Sequence, residues 1–480
     1  MYTWFRVLLS RCLILFLLLL PAVQPVAAQT QLLKSGTIWQ GAIDFSSMEL
    51  RIVFKIQQDP GTGEIKASMD SPDQGAANIP VSAVLLSNDS LRLEVDVVRG
   101  YYEGMFQSDS LVTGKWHQGG MSFPLDLRRV EKEPVISRPQ HPKKPYPYQE
   151  EEVSYRNENG DIELAATLTT PESGAPFPAV ILISGSGAQD RDETIFNHKP
   201  FLVLADYLTR RGIAVLRVDD RGVGGSSGDV STSTSDDFAG DVLAGIEFLK
   251  KRHDIDASRI GLIGHSEGGI VAPIAASRSE DVAFIVLMAG TGLTGEEILY
   301  LQAALIFKAS GIDDQVIEKY KKLQREYFRI VKQVDDDTLA LAELVKLSKS
   351  DKFNLTDEEK KMLGISDQNI EASLRSLVSP WFRYFLTYDP KQALRQVHCP
   401  VLALIGEKDL QVPADENLAA IKRALDEAGN PNVTTVKLAG LNHLFQTAET
   451  GAPAEYGRIE ETIAPAALET IADWILEQIE

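Results

Sequence analysis

Cysteine is almost missing from this chain. Two stand in 480 residues, Cys12 and Cys399, so a scaffold stapled by several disulfides is excluded. No C-x-x-C or H-E-x-x-H spacing occurs, and no metal or other cofactor is expected. Positive charge is scarce as well: 48 Lys and Arg face 68 Asp and Glu, for a net charge of −20. Such a surface repels phosphates, so nucleic acid is not an expected partner. It gives no reason to expect docking on anionic lipid either. The apolar run at residues 12–20 falls short of the roughly 20 residues that a membrane-spanning helix needs, and Pro21 ends it.

That run belongs to another pattern. Arg6 and Arg11 lie before or beside it, and the small residues Val26-Ala27-Ala28 precede Gln29. A basic start, a short apolar stretch and small residues before a cleavage point describe a secretory signal peptide. Residues 1–28 are therefore expected to be removed. The chain is expected to be exported to the periplasm or beyond, without stable membrane insertion. Cys399 would then be the one remaining cysteine, with no partner for a disulfide within the chain.

The rest is long for a single core. Hydrophobic residues make up 44% and charged residues 24%, an ordinary globular balance that leaves no long disordered stretch to expect. Residues 30–133 alternate apolar and polar side chains, as in Leu91-Arg92-Leu93-Glu94-Val95. Turn signals such as Asp59-Pro60-Gly61 and Gly119-Gly120 punctuate them. A small all-β domain, barrel or sandwich, is expected there, with Trp39, Tyr101, Tyr102 and Trp116 as packing residues. Pro134, Pro139, Pro142, Pro145 and Pro147 mark residues 134–149 as a stiff linker. From residue 150 to 480, apolar strand-like runs alternate with helical stretches, the grammar of a mostly parallel sheet flanked by helices. Residues 296–390 break that rhythm and read as helices. Trp381, Phe382, Tyr384 and Phe385 favour a lid over a mere surface decoration.

The chemistry is concentrated in a few short stretches. Gly264-His265-Ser266-Glu267-Gly268 follows a strand-like run and precedes a helix-compatible one. A serine on so tight a turn needs small neighbours on both sides, and this context makes Ser266 the candidate nucleophile. A serine hydroxyl needs a base. Of seven histidines, only His443 follows the run at residues 401–405, in the order nucleophile, acid, histidine. The acid is expected in Gly406-Glu407-Lys408-Asp409, with Asp409 preferred and Glu407 its competitor. Two backbone N–H groups should meet a developing oxyanion, one from Glu267 and one from Ser186, or alternatively Gly187, in Ser184-Gly185-Ser186-Gly187. His265 reads as packing or as support directly behind the reacting residues, and His198 and His253 as surface positions. The Gly-rich Asp219-Asp220-Arg221-Gly222-Val223-Gly224-Gly225-Ser226 lacks the spacing of a phosphate-binding loop. A structural loop held by Asp–Arg hydrogen bonds is expected.

Four of these stretches together resemble the EstD-like carboxylesterase group of bacterial α/β-hydrolase serine esterases. They are Ser184-Gly185-Ser186-Gly187-Ala188-Gln189-Asp190-Arg191-Asp192, Asp220-Arg221-Gly222-Val223-Gly224, Gly264-His265-Ser266-Glu267-Gly268-Gly269 and Asn442-His443. The resemblance spans roughly residues 150–480. It implies an α/β-hydrolase fold with a triad of Ser266, Asp409 and His443. It also implies a small-molecule carboxylic ester, with a short acyl chain, as substrate. The β-rich leader is similar to the domain preceding some exported members. Ser184 departs from the wider superfamily, where many lipases place a histidine before the glycine. A peptidase or an acyltransferase would use the same triad, and a non-enzymatic envelope-binding protein would need the triad to be vestigial.

Overall fold

Alternating residues between positions 37 and 130 build one antiparallel sheet. Its strands are β1 (Thr37–Asp44), β2 (Glu49–Gln58), β3 (Ile65–Ser71), β4 (Ala76–Pro80) and β5 (Ala83–Ser87), then β6 (Ser90–Val95), β7 (Gly100–Ser108), β8 (Leu111–Gln118), β9 (Met121–Pro124) and β10 (Leu127–Val130). They run in the order β4-β3-β2-β1-β10-β8-β7-β6-β5, with β9 paired to β8. This is a computed structural model, and it describes residues 35–44, 49–59, 61–87, 89–132, 137–365 and 370–480. The expected signal peptide, residues 1–28, lies outside the described residues, as does Pro134.

Strand β6 shows the physical rule. Leu91, Leu93 and Val95 point inward and are buried, while Arg92 and Glu94 alternate outward. The sheet is continuous and curls until β3 touches β5, so it is barrel-like and not a two-sheet sandwich. Its core is aromatic. Trp39, Phe54, Tyr102 and Trp116 are all buried, with the Phe54 and Tyr102 rings 6.0 Å apart. Tyr101 differs from the other three expected packing residues: it is half-buried and stacks on His117 at 4.5 Å.

The second sheet contains β11 (Gln149–Asn157), β12 (Ile162–Thr170), β13 (Phe177–Ile183), β14 (Ala214–Val218), β15 (Ile255–His265), β16 (Phe284–Met288), β17 (Val401–Gly406) and β18 (Val433–Leu438). Their order is β11-β12-β14-β13-β15-β16-β17-β18. The β11–β12 and β12–β14 pairs are antiparallel, and every later pair is parallel. Both faces are covered. On β13, Ile181 enters one core, while its neighbours Val180 and Leu182 enter the other. That is why the parallel strands read as unbroken apolar runs.

No strand lies between β16 and β17 among the described residues. Helices fill that interval, chief among them Gly295–Ala309, Asp314–Gln333, Asp337–Ser348 and Pro380–Thr387. They enclose their own core around Phe328, Leu344, Phe382 and Leu386. The proline-rich stretch is pinned to the second sheet's loops. The Arg138 guanidinium donates to the carbonyls of Ile459 (2.6 Å), Phe196 (2.8 Å) and Gly457 (2.9 Å). The first sheet touches the same loops, since a Cβ on Gly75 would lie 3.2 Å from the Phe196 and Asn197 backbone.

Candidate active site

The turn between β15 and the helix Gly268–Ala276 carries Ser266 at φ 52°, in the left-handed region. A non-glycine residue there stores about 1–3 kcal/mol of strain. The surroundings enforce it. A Cβ on Gly264 would run into the Gly268 carbonyl, and one on Gly268 into the Ile183 carbonyl. The Ser266 amide donates to the Met288 carbonyl at 2.8 Å, which ties the turn to the end of β16.

The loop after β17 delivers Asp409. Its Oδ1 accepts the amides of Gln411 and Val412, each at 2.8 Å. Its Oδ2 is left 2.8 Å from His443 Nδ1. The loop after β18 holds His443, and Asn442 Oδ1 accepts the amides of Leu444 (3.0 Å) and Gln446 (2.9 Å), which closes it tightly. His443 Nε2 then lies 3.1 Å from Ser266 Oγ. Asp409 and His443 are both buried. Glu407 points elsewhere: it is exposed and accepts the Gly440 amide at 2.9 Å. The structure thus brings Ser266, His443 and Asp409 into one hydrogen-bonded chain and leaves Glu407 out of it.

The Ser184-Gly185-Ser186-Gly187 loop follows β13 and passes close by, since a Cβ on Gly185 would lie 3.3 Å from Ser266 Cβ. The Gly185 amide is engaged by Glu193 Oε1 at 2.6 Å. Among the described residues no backbone acceptor meets the amides of Ser186 or Glu267. Both residues border a cavity of about 110 Å³ next to Ser266, whereas Gly187 is not among its walls. The helical interval completes the enclosure through Gln302, Trp381 and Phe385. The rings of Trp381 and Phe385 stack 5.1 Å apart.

Several polar partners had no role in the expectations from sequence. The buried Glu267 carboxylate accepts Ser235 Oγ at 2.6 Å and Trp381 Nε1 at 2.8 Å, a direct bridge from the nucleophile turn to the helical interval. Burial pushes its carboxyl up, and the two donors oppose that. Of the two readings of His265, support behind the reacting residues is the one its contacts fit: Nδ1 faces Glu193 Oε1 at 2.9 Å and Nε2 faces the His443 carbonyl at 3.0 Å. His198 corrects an expectation. It is buried, not a surface residue, because Thr462 Oγ1 and the Tyr456 carbonyl each meet its ring at 3.0 Å and satisfy it. His253 is exposed, as expected.

The Gly-rich stretch after β14 is a structural loop. Arg191 grips Asp219 (2.7 Å), which also accepts the Gly225 amide at 3.1 Å. Arg221 pairs with Asp241 at 2.6 Å. Asp220 sits behind the first loop, accepting Ser184 Oγ at 2.7 Å and the Gln189 amide at 2.9 Å. Burial pushes its carboxyl up to about 7 despite those donors, with the charges of Glu193 and Glu267 adding to the rise. Among the described residues, no group of His, Cys, Asp and Glu is placed to hold a metal ion. Among them, too, no helix is long and apolar enough to cross a membrane.

Known proteins share much of this chain. The alpha/beta hydrolase family matches residues 180–456, more than half of it. An esterase of Thermotoga maritima, EstD, is 26% identical over 325 residues, 65% of this chain and 66% of the esterase. The chain therefore spans just under two thirds of that relative's length. An uncharacterized 31.7 kDa protein of Escherichia coli is 26% identical over 53% of this chain and 81% of its own length. Among solved structures, an esterase of Pyrococcus furiosus has 17% identity and a TM-score of 0.42, over 72% of this chain and 98% of that one.

Proposed function

The chain belongs to the alpha/beta hydrolase family, and from that premise we propose that it hydrolyses carboxylic esters through an acyl-enzyme on Ser266. The observation that carries the reading is the chain of contacts from Ser266 Oγ to His443 Nε2 (3.1 Å) and from His443 Nδ1 to Asp409 Oδ2 (2.8 Å) beside the cavity. His443, oriented by Asp409, takes the Ser266 proton as Oγ attacks the ester carbonyl carbon. The negative charge that moves onto the carbonyl oxygen is met by the Ser186 and Glu267 amides. The intermediate collapses, the C–O bond to the alcohol breaks, and His443 gives the proton to the departing alkoxide. Water, deprotonated by His443, then attacks the acyl carbon, the bond to Ser266 Oγ breaks, and His443 returns the proton to Oγ as the acid leaves.

A cavity of about 110 Å³ walled by Trp381 and Phe385 supports short acyl chains as substrates. The test is a series of p-nitrophenyl esters of rising acyl length. Highest kcat/KM at the short end is expected, with a drop of about 10⁶ in kcat for Ser266→Ala. Turnover retained by Ser266→Ala would overturn the reading, and a rate that climbs with chain length would overturn the short-chain part. The leader pattern supports export. Amino-terminal sequencing of exported chain should begin at Gln29, and an intact leader would contradict cleavage.

A further inference from the structure

We propose that Glu193 is a positioning residue of this site: acting through His265 held as an imidazolium, it fixes the loop of the Ser186 amide against the loop of His443. The proposal rests on the reading of Ser266 and His443 as the reacting pair and adds what holds their surroundings in register.

Hydrogen-bond logic assigns the protons. His265 Nδ1 lies 2.9 Å from Glu193 Oε1, and Nε2 lies 3.0 Å from the His443 carbonyl oxygen. A backbone carbonyl can only accept, and so can a carboxylate. The same Glu193 oxygen already accepts the Gly185 amide at 2.6 Å. A neutral imidazole has one N–H and would set acceptor against acceptor on its other side. With Glu193 as a carboxylate, both contacts are satisfied only when both nitrogens carry protons. Glu193 and His265 therefore form a buried ion pair, each member hydrogen-bonded to backbone as well.

The charged groups facing His265 agree. Burial works against its proton, but Glu193 by charge and hydrogen bond, with the His443 carbonyl and Asp409, holds its affinity above the ordinary histidine value. His443 packs beside it with ring centroids 5.0 Å apart, and Phe445 meets its edge at 6.3 Å. Asp220 is close enough for the Glu193 charge to help raise its carboxyl.

Glu193 is itself held firmly. Its backbone adopts φ 52°, and its amide donates to the Asp190 carbonyl at 2.8 Å. The Asp190 carboxylate accepts the amides of Asp192 (3.1 Å) and Thr194 (3.0 Å) on either side. The Glu193 carboxylate thus holds one loop directly and a second through His265, and the two must keep their separation while charge moves between the nucleophile and the carbonyl oxygen. One of them, at Gly185, directly precedes the Ser186 amide. The other carries the general base. A mispositioning of 1 Å in such an arrangement costs about 10²-fold in rate.

The test combines nitrogen-15 NMR of the histidine rings in the full native chain with kinetics. At neutral pH, His265 should appear doubly protonated. Glu193→Gln should turn it into a neutral ring and cut kcat by about 10²-fold, with KM changed by less than about threefold. His265→Gln, which keeps one donor for the His443 carbonyl but no charge, should lose less. A singly protonated His265 in the native chain overturns the proposal without any variant having to fold. A folded Glu193→Gln with kcat within about twofold of the parent overturns it as well. Fluorophosphonate titration of the native chain reports separately on Ser266. Failure there removes the hydrolase reading and leaves the ring-proton result standing.

Discussion

The two sheets apply the same alternation of side chains and end with different capacities. In the first, antiparallel neighbours follow one another through short turns, so chain reversals are scattered over both edges. On its outer face Arg92 bonds Glu94 at 3.0 Å, and a Glu103 oxygen lies 3.1 Å from the His117 ring. In the second, the parallel strands all finish at one edge, because each crossover returns the chain along the sheet's face. The Ser186 loop after β13, Ser266 after β15, Asp409 after β17 and His443 after β18 meet there. Parallel connectivity gathers residues that are far apart in sequence, and hairpin connectivity does not. The candidate chemistry follows that difference and not the amount of core each sheet buries.

Variants in the two sheets can break this contrast. The largest effect is expected in the second sheet. Asp409→Asn removes the carboxylate that orients His443 and should lower kcat by about 10⁴-fold, with the thermal melt unmoved. A drop below tenfold would mean the relay is not what drives turnover. Next comes the first sheet. Trp39 is buried at its centre, and Trp39→Ala should cost that unit about 3–5 kcal/mol in a denaturant melt. Ester turnover measured below the transition should stay near the parent value. Loss of turnover in the still-folded variant would show that the first sheet contributes to the chemistry.

The last effect concerns pH. The Asp220 carboxyl is raised to about 7 in the fold from an ordinary 3.8. The folded state therefore holds the proton more tightly than the unfolded chain. The stabilisation is fully present below about pH 3.8 and is lost as pH rises through about 7. Asp220→Asn should flatten the fall in melting temperature across that window. An unchanged slope would assign the pH dependence to other groups.

Much of the site was legible from sequence because its signals are local. Gly264, Ser266 and Gly268 sit within one turn, and steric need alone demands glycine at its flanks. Asp409 and His443 follow from strand order. What escaped are partners joined across long stretches of chain. Glu193 and His265 are 72 residues apart, and Glu267 and Trp381 are 114 apart. No spacing rule couples such pairs. His198 was misread for the same reason, since its partners Tyr456 and Thr462 lie more than 250 residues away. In the first sheet, alternation announced strands and an aromatic core. Whether the strands formed a sandwich or one curled sheet depended on pairing, notably of β1 with β10, which alternation does not encode.

The most direct measurement is fluorophosphonate labelling of the native chain followed by peptide mass mapping. The relay predicts one phosphonate per chain, carried by Ser266, and strongly slowed labelling in His443→Ala. A folded chain that takes no label, or takes it at another serine, would contradict the assignment of Ser266 as nucleophile.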